Sequence, residues 1–179
     1  MRAVIVFESM FGNTQELAAA VGEGLRTAGA EVAVSDVGLL APGTLAGCDL
    51  LVLAAPTHAL TMSRPQSRAE AVSRGADPRQ LHSGMREWLD GVDQSLPTTE
   101  DRPAVAVFDT RISKARHWPG SAAGAMARAL RRHGFVVAAR ASFYVNDVKG
   151  PLVAGERDRA EGWGSALATG APAAQHVAG

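Results

Sequence analysis

Residues 8–14 read Glu8-Ser9-Met10-Phe11-Gly12-Asn13-Thr14, and what flanks them decides the fold. Upstream, residues 3–7 (Ala-Val-Ile-Val-Phe) are an unbroken apolar run rich in β formers, the pattern of a strand covered on both faces. Downstream, Leu17, Val21 and Leu25 recur at every fourth position among the polar Gln15, Glu16, Glu23 and Arg26, and Gly29 follows. That spacing predicts a helix over residues 15–28 with one buried stripe and a glycine stop. A buried strand that passes directly into a helix is the opening unit of a parallel α/β sheet. The joining residues carry two hydroxyls (Ser9, Thr14), a glycine that lets backbone approach a ligand, and Asn13, suited to a helix N-cap. The first amides of a helix have no acceptor within it, and the macrodipole places roughly half a positive charge there. An anion can therefore be held at this point although no basic residue lies between Val4 and Gln15.

The same stretch resembles the phosphate loop of the flavodoxin family, whose pattern runs hydroxyl, any residue, hydroxyl, Gly, Asn, Thr. Ser9, Gly12, Asn13 and Thr14 match it; Phe11 stands where a hydroxyl is commoner, so that hydrogen bond would have to come from backbone. Neither a loop ending in Gly-Lys-Ser/Thr nor a GxGxxG follows the first strand. The resemblance implies a three-layer, doubly wound α/β sandwich around a five-stranded parallel sheet of order 2-1-3-4-5. It also implies FMN as a non-covalent cofactor. Its phosphate would lie on Ser9, Met10, Phe11, Gly12, Asn13 and Thr14, and its ring between the loops after the third and fourth strands. Those ring-side positions are Pro56, Thr57, His58 and Ala59 in one loop and Thr110, Arg111, Trp118 and Gly120 in the other.

The remaining pattern agrees with that architecture. Residues 31–37 are shorter and more mixed, as expected of an edge strand, and residues 50–55 form a second continuous apolar run ended by Pro56. Residues 104–108 and 135–145 read as the fourth and fifth strands, the fifth placed on the outer edge by Arg140. Helices are predicted over 84–92, with Trp88 in the core, over 122–133 with Ser121 as N-cap, and over 156–168. In open α/β sheets ligands sit beyond the carboxyl ends of the strands where the order reverses, which here means the loops after strands one and three. The segment 56–68 carries no stacking aromatic, so His58 is its nearest planar side chain and Trp118 the candidate aromatic face in the other loop. Residues 62–83 hold Arg64, Arg68, Arg74 and Arg79 and read as a partly helical excursion (67–74) over the pocket mouth. They form either a solvated surface or a cationic rim for a phosphorylated nicotinamide donor. Turns with proline are expected over 39–47 and as an exposed acidic loop over 96–103, and residues 171–179 as a frayed tail after a single domain spanning 1–170.

The chain has 179 residues, enough for one domain with a sizeable core. Lysine plus arginine equals aspartate plus glutamate at 18 each, so no global field argues for nucleic acid or a membrane surface. The single cysteine, Cys48, excludes an internal disulfide and reads as a small buried hydrophobe, as suits a cytoplasmic protein. Three functions remain open. The first is an FMN-binding electron-transfer protein with a redox partner protein. The second is an NAD(P)H-dependent quinone reductase on the same scaffold, favoured if Arg111 faces the flavin and stabilises an anionic reduced ring. The third is a flavodoxin-like binding domain without cofactor, motivated by Phe11 and the absent stacking aromatic.

Overall fold

In the computed structural model residues 1–40, 45–92 and 102–170 are described; the turn expected at 42–43, most of the acidic loop and the 171–179 tail lie outside them. The strands are β1 (Arg2–Phe7), β2 (Glu31–Asp36), β3 (Leu50–Pro56), β4 (Ala104–Ile112) and β5 (Val137–Val145). All pair in parallel in the order β2-β1-β3-β4-β5. The helices are α1 (Asn13–Thr27), α2 (Pro65–Ser73), α3 (Met85–Asp90), α4 (Ala122–Arg132) and α5 (Glu156–Thr169).

Strand alternation divides the core in two. Ala3, Ile5 and Phe7 of β1 join Leu50, Val52 and Ala54 of β3 and Phe108 of β4 against α1 and α5. Val4, Val6, Leu51, Leu53, Val105 and Val107 face the other way, onto α3 and α4. Both sides of the central strands are thus covered, which is why their sequence is continuously apolar. The rings of Phe108, Phe143 and Trp163 meet edge to face at 5.3–6.1 Å under α5. Helices α1 and α5 approach so closely that a Cβ on Gly24 would land on the Glu161 carbonyl and one on Gly164 on the Val21 carbonyl. The Ser165 hydroxyl donates to the Gly24 carbonyl across the same contact at 3.1 Å.

Both edge strands stand where the sequence places them, and Arg140 is exposed on β5. Several boundaries differ from the sequence reading. β4 continues past the apolar run to Ile112, because residues 109–112 keep pairing with β5 as far as Val145. β5 starts at Val137, since Phe135 closes the turn after α4 with its amide on the Leu130 carbonyl. α3 is shorter than residues 84–92 and begins after Gly84, whose N–H donates to the Glu87 carboxylate at 3.1 Å. Trp88 is buried as expected, and its indole N–H donates to the Leu40 carbonyl at 2.9 Å. Among the described residues no helix is long and apolar enough to cross a membrane.

Candidate functional site

The loop after β1 opens α1 by a different device from the one its sequence suggests. Asn13 is the first helical residue, not the cap; the N-cap is Gly12, in the left-handed region at φ 88°, and it has no side chain to offer the helix. A glycine is needed at that φ, and its lack of a capping group leaves the Asn13 and Thr14 amides without an intrahelical acceptor. The Ser9 hydroxyl takes over part of the capping, accepting the Gln15 amide at 3.2 Å. Thr14 is buried, and its Oγ1 lies 2.8 Å from the Oγ1 of Thr110 at the end of β4, an arrangement in which either can donate. Met10 and Phe11 pack with Ala71, Val72 and Ala76 of α2 and its following turn.

The ends of β3 and β4 are joined to α4 through a buried carboxylate. Asp109 is fully buried; its Oδ2 accepts the Thr57 hydroxyl at 2.9 Å and the Ala123 amide at 3.0 Å. Thr57 Oγ1 in turn accepts the Ala122 amide at 2.9 Å. Asp109→Ala leaves the half-buried Thr57 hydroxyl and the buried Ala123 amide without this acceptor. The expected loss is about 2 kcal/mol in urea unfolding, with Asp109→Asn losing less because one acceptor remains. An Ala variant as stable as wild type would show that this junction is held by packing alone.

Beyond Thr57 the chain makes a tight turn. His58 and Thr61 exchange backbone hydrogen bonds of 2.9 and 3.0 Å, and the central residues Ala59 and Leu60 both have positive φ, at 44° and 66°. Two non-glycine residues in the left-handed region store strain beside the cavity. The turn is held from the far side by Gly120, at φ 85°, where a Cβ would come within 2.8 Å of the Leu60 carbonyl. Burial pushes the His58 imidazole below its ordinary value of 6.5, against the attraction of Glu70, so it is neutral at pH 7.

These loops enclose a cavity of about 270 Å³ beyond the carboxyl ends of β1, β3 and β4. Ser9, Met10, Phe11, Asn13 and Thr14 line one side, Pro56, Thr57, His58 and Ala59 another, and Thr110 joins them. The other four candidates lie outside the lining. Gly12 supplies only the backbone bend, and Gly120 buttresses the 58–61 turn. Arg111 does not face the cavity: it follows Thr110 in the strand and so points to the opposite side of the sheet. Its guanidinium donates to the carbonyls of Ala115 at 2.8 Å and Trp118 at 2.9 Å, tying its own loop together. Trp118 is 61% exposed and is not among the residues that line the cavity.

The remaining wall comes from α2, part of the excursion that the sequence presents as either a solvated surface or a cationic rim over the pocket mouth. Ser67, Glu70, Ala71 and Arg74 reach the cavity from one helical face, spaced i, i+3, i+4, i+7. Because most of that face is polar, the apolar periodicity that reveals core helices is silent about it. Three of the four arginines of this segment are ion-paired. Arg68 is 2% exposed and donates to Glu87 at 3.0 and 3.2 Å and to the Ser63 hydroxyl at 3.2 Å, while Arg74 pairs with Glu70 at 2.5 Å and Arg79 with Asp77 at 2.6 Å. Glu8, fully buried at the base of the loop, accepts the Met85 amide at 2.8 Å. Burial pushes its carboxyl up; the Met85 amide, the Ser63 hydroxyl and the charge of Arg68 oppose the rise.

No protein-family model and no curated protein sequence matches the chain. Solved structures do. A flavodoxin from the domain Archaea superposes with TM-score 0.67 at 19% identity, covering 95% of this chain and 98% of that one. The two-electron reduced flavodoxin of Megasphaera elsdenii gives 0.63 at 20% identity, over 93% of this chain and 98% of that one. The rubredoxin oxygen:oxidoreductase of Desulfovibrio gigas gives 0.66 at 15% identity, where 94% of this chain matches 35% of the longer protein. The fold is flavodoxin-like.

Proposed function

We propose that this flavodoxin-like chain binds FMN without covalent attachment and passes electrons through it to or from a partner protein. The observation that supports this reading is the meeting of the helix-opening loop and both ring-side loops in a single cavity of about 270 Å³. The chemistry of its lining fits the cofactor from end to end. Ser9, Thr14 and the first amides of α1 suit a phosphate, and Pro56, His58, Ile112 and Val145 offer planar or apolar surface to a ring. When bound, the flavin supplies the redox chemistry by taking up and releasing electrons in its ring. The protein's part is to bind it, orient it and limit access of water. The neutral His58 can donate or accept a hydrogen bond without bringing a second charge to the site.

The carrier reading is preferred to the reductase because Arg111 and Arg68, two cations that would favour the latter, are committed elsewhere. Arg111 staples its own loop, and Arg68 is buried with Glu87. The packing of Phe11 on α2 accounts for the lost hydroxyl without requiring a lost cofactor.

Titrating the protein into FMN and following flavin fluorescence is expected to give saturable 1:1 quenching with a Kd below about 1 µM. Thr14→Val, which removes a buried hydroxyl from the phosphate end, is expected to weaken binding by about tenfold. Absence of saturable quenching overturns the reading. Steady NADPH oxidation with a quinone by the FMN-loaded protein alone would replace the carrier with the reductase.

A further inference from the structure

The turn between β5 and α5 brings a cation against Phe11, a residue of the cavity wall. Residues 146–151 form a closed loop, held by the Asn146 amide on the Pro151 carbonyl at 2.9 Å and the Gly150 amide on the Asp147 carbonyl at 2.9 Å. The loop lies against the start of α1: Gly150, at φ 98°, sits so close that a Cβ there would strike the Asn13 amide group, and Val148 lines the cavity. Lys149, between them, places its Nζ 5.8 Å from the centre of the Phe11 ring. That is within the range at which an ammonium is attracted to an aromatic face. Lys149 makes no ion pair among the described residues, whereas Arg74, on the α2 wall, is neutralised by Glu70. Phe11 is also the loop position that lacks the hydroxyl of the flavodoxin pattern.

We propose that Lys149, seated on Phe11, is a phosphate-binding residue that makes this site prefer a phosphorylated flavin to the unphosphorylated one. The third loop position thereby exchanges a hydrogen-bond donor for an aromatic platform, and the donor arrives from the 146–151 turn as a charged group. The inference rests on the FMN reading and adds to it a specific source of phosphate affinity, one that salt screens.

The test measures Kd for FMN and for riboflavin by fluorescence quenching, in low and high salt, on wild type, Lys149→Met and Lys149→Arg. Lys149→Met is expected to raise the Kd for FMN about 5-fold in low salt, the scale of a solvent-exposed charge pair, and to leave riboflavin unchanged. High salt should shrink that difference, and Lys149→Arg should retain most of the FMN affinity. Equal FMN affinity in wild type and Lys149→Met overturns the proposal, as does an equal loss for both flavins, which would make the turn a shape element only. Wild-type protein that quenches neither flavin overturns the FMN reading itself and this proposal with it, an outcome distinct from the other two.

Discussion

Arg68→Met is expected to lower the free energy of unfolding by about 3 kcal/mol at pH 8, the range found when one partner of a buried ionic cluster is removed. The two carboxylates near Arg68 respond differently. Glu87 is 40% exposed and can turn to water, but Glu8 is fully buried and keeps only the Met85 amide and the Ser63 hydroxyl, both uncharged, as stabilising partners. The cost therefore falls on Glu8, which must either stay charged in a dry site or take up a proton. Its carboxyl is already raised by burial, and losing the guanidinium raises it further. A group whose folded pKa lies above its unfolded value favours the fold fully below the unfolded value, and that advantage is lost as pH rises through the folded one. The deficit of Arg68→Met should then shrink as pH is lowered from 8 towards the ordinary carboxylate value of 4.5. Glu8→Gln in the same background should restore much of the stability at pH 8. Urea unfolding at pH 5 and pH 8 checks both; a pH-independent deficit would show that Arg68 acts by packing alone. Because Arg68 belongs to α2 and Glu8 to the base of the phosphate loop, the variant should also loosen the cavity wall.

Gly164→Ala is expected to destabilise the protein by about 2–3 kcal/mol, the cost of forcing atoms into a packed interior. The added Cβ meets the Val21 carbonyl, and backbone cannot move aside as a side-chain tip can. Relief requires α1 and α5 to separate, which uncovers the contact between Trp163 and the two phenylalanines. Gly24→Ala should behave alike, since its Cβ meets the Glu161 carbonyl. Gly162, two residues away on α5, has nothing within 4 Å of an added Cβ. Gly162→Ala should stabilise by up to about 1 kcal/mol through helix propensity. Thermal unfolding of the three variants distinguishes steric contact from propensity; similar shifts at Gly162 and Gly164 would contradict the close approach of the helices.

The fold was legible because its strongest signals are local. A short apolar run such as residues 50–55, stopped by Pro56, reads as a strand covered on both sides, and Leu17, Val21 and Leu25 at every fourth position read as a helix with one buried face. The strand-to-helix connection at residues 9–14 was legible for the same reason, being contiguous, although its N-cap is Gly12 and not Asn13. The rest of the site depends on information that composition does not carry. Arg111 and Thr110 are neighbours in sequence, but the strand sends one to the cavity and the other to the opposite face. Arg68 reads as a surface charge until the fold brings Glu87, Ser63 and Glu8 around it. Asp109 reads as the end of a strand, yet it joins three elements, and no local pattern marks a residue whose partners are distant. Glu70 escaped because a polar helical face looks the same whether it borders a cavity or open water.

The hydroxyl pair of Thr14 and Thr110 has a consequence for communication across the cavity. Only one proton can lie between two oxygens 2.8 Å apart, so the pair has a direction. An anion that draws the Thr14 proton to itself obliges Thr14 to accept from Thr110. Thr110, its own proton then committed, presents only lone pairs to whatever lies beside it, and so selects an N–H over a carbonyl. An anion at the mouth of α1 would thereby fix which way this one hydrogen bond runs, and with it what Thr110 offers near the end of β4.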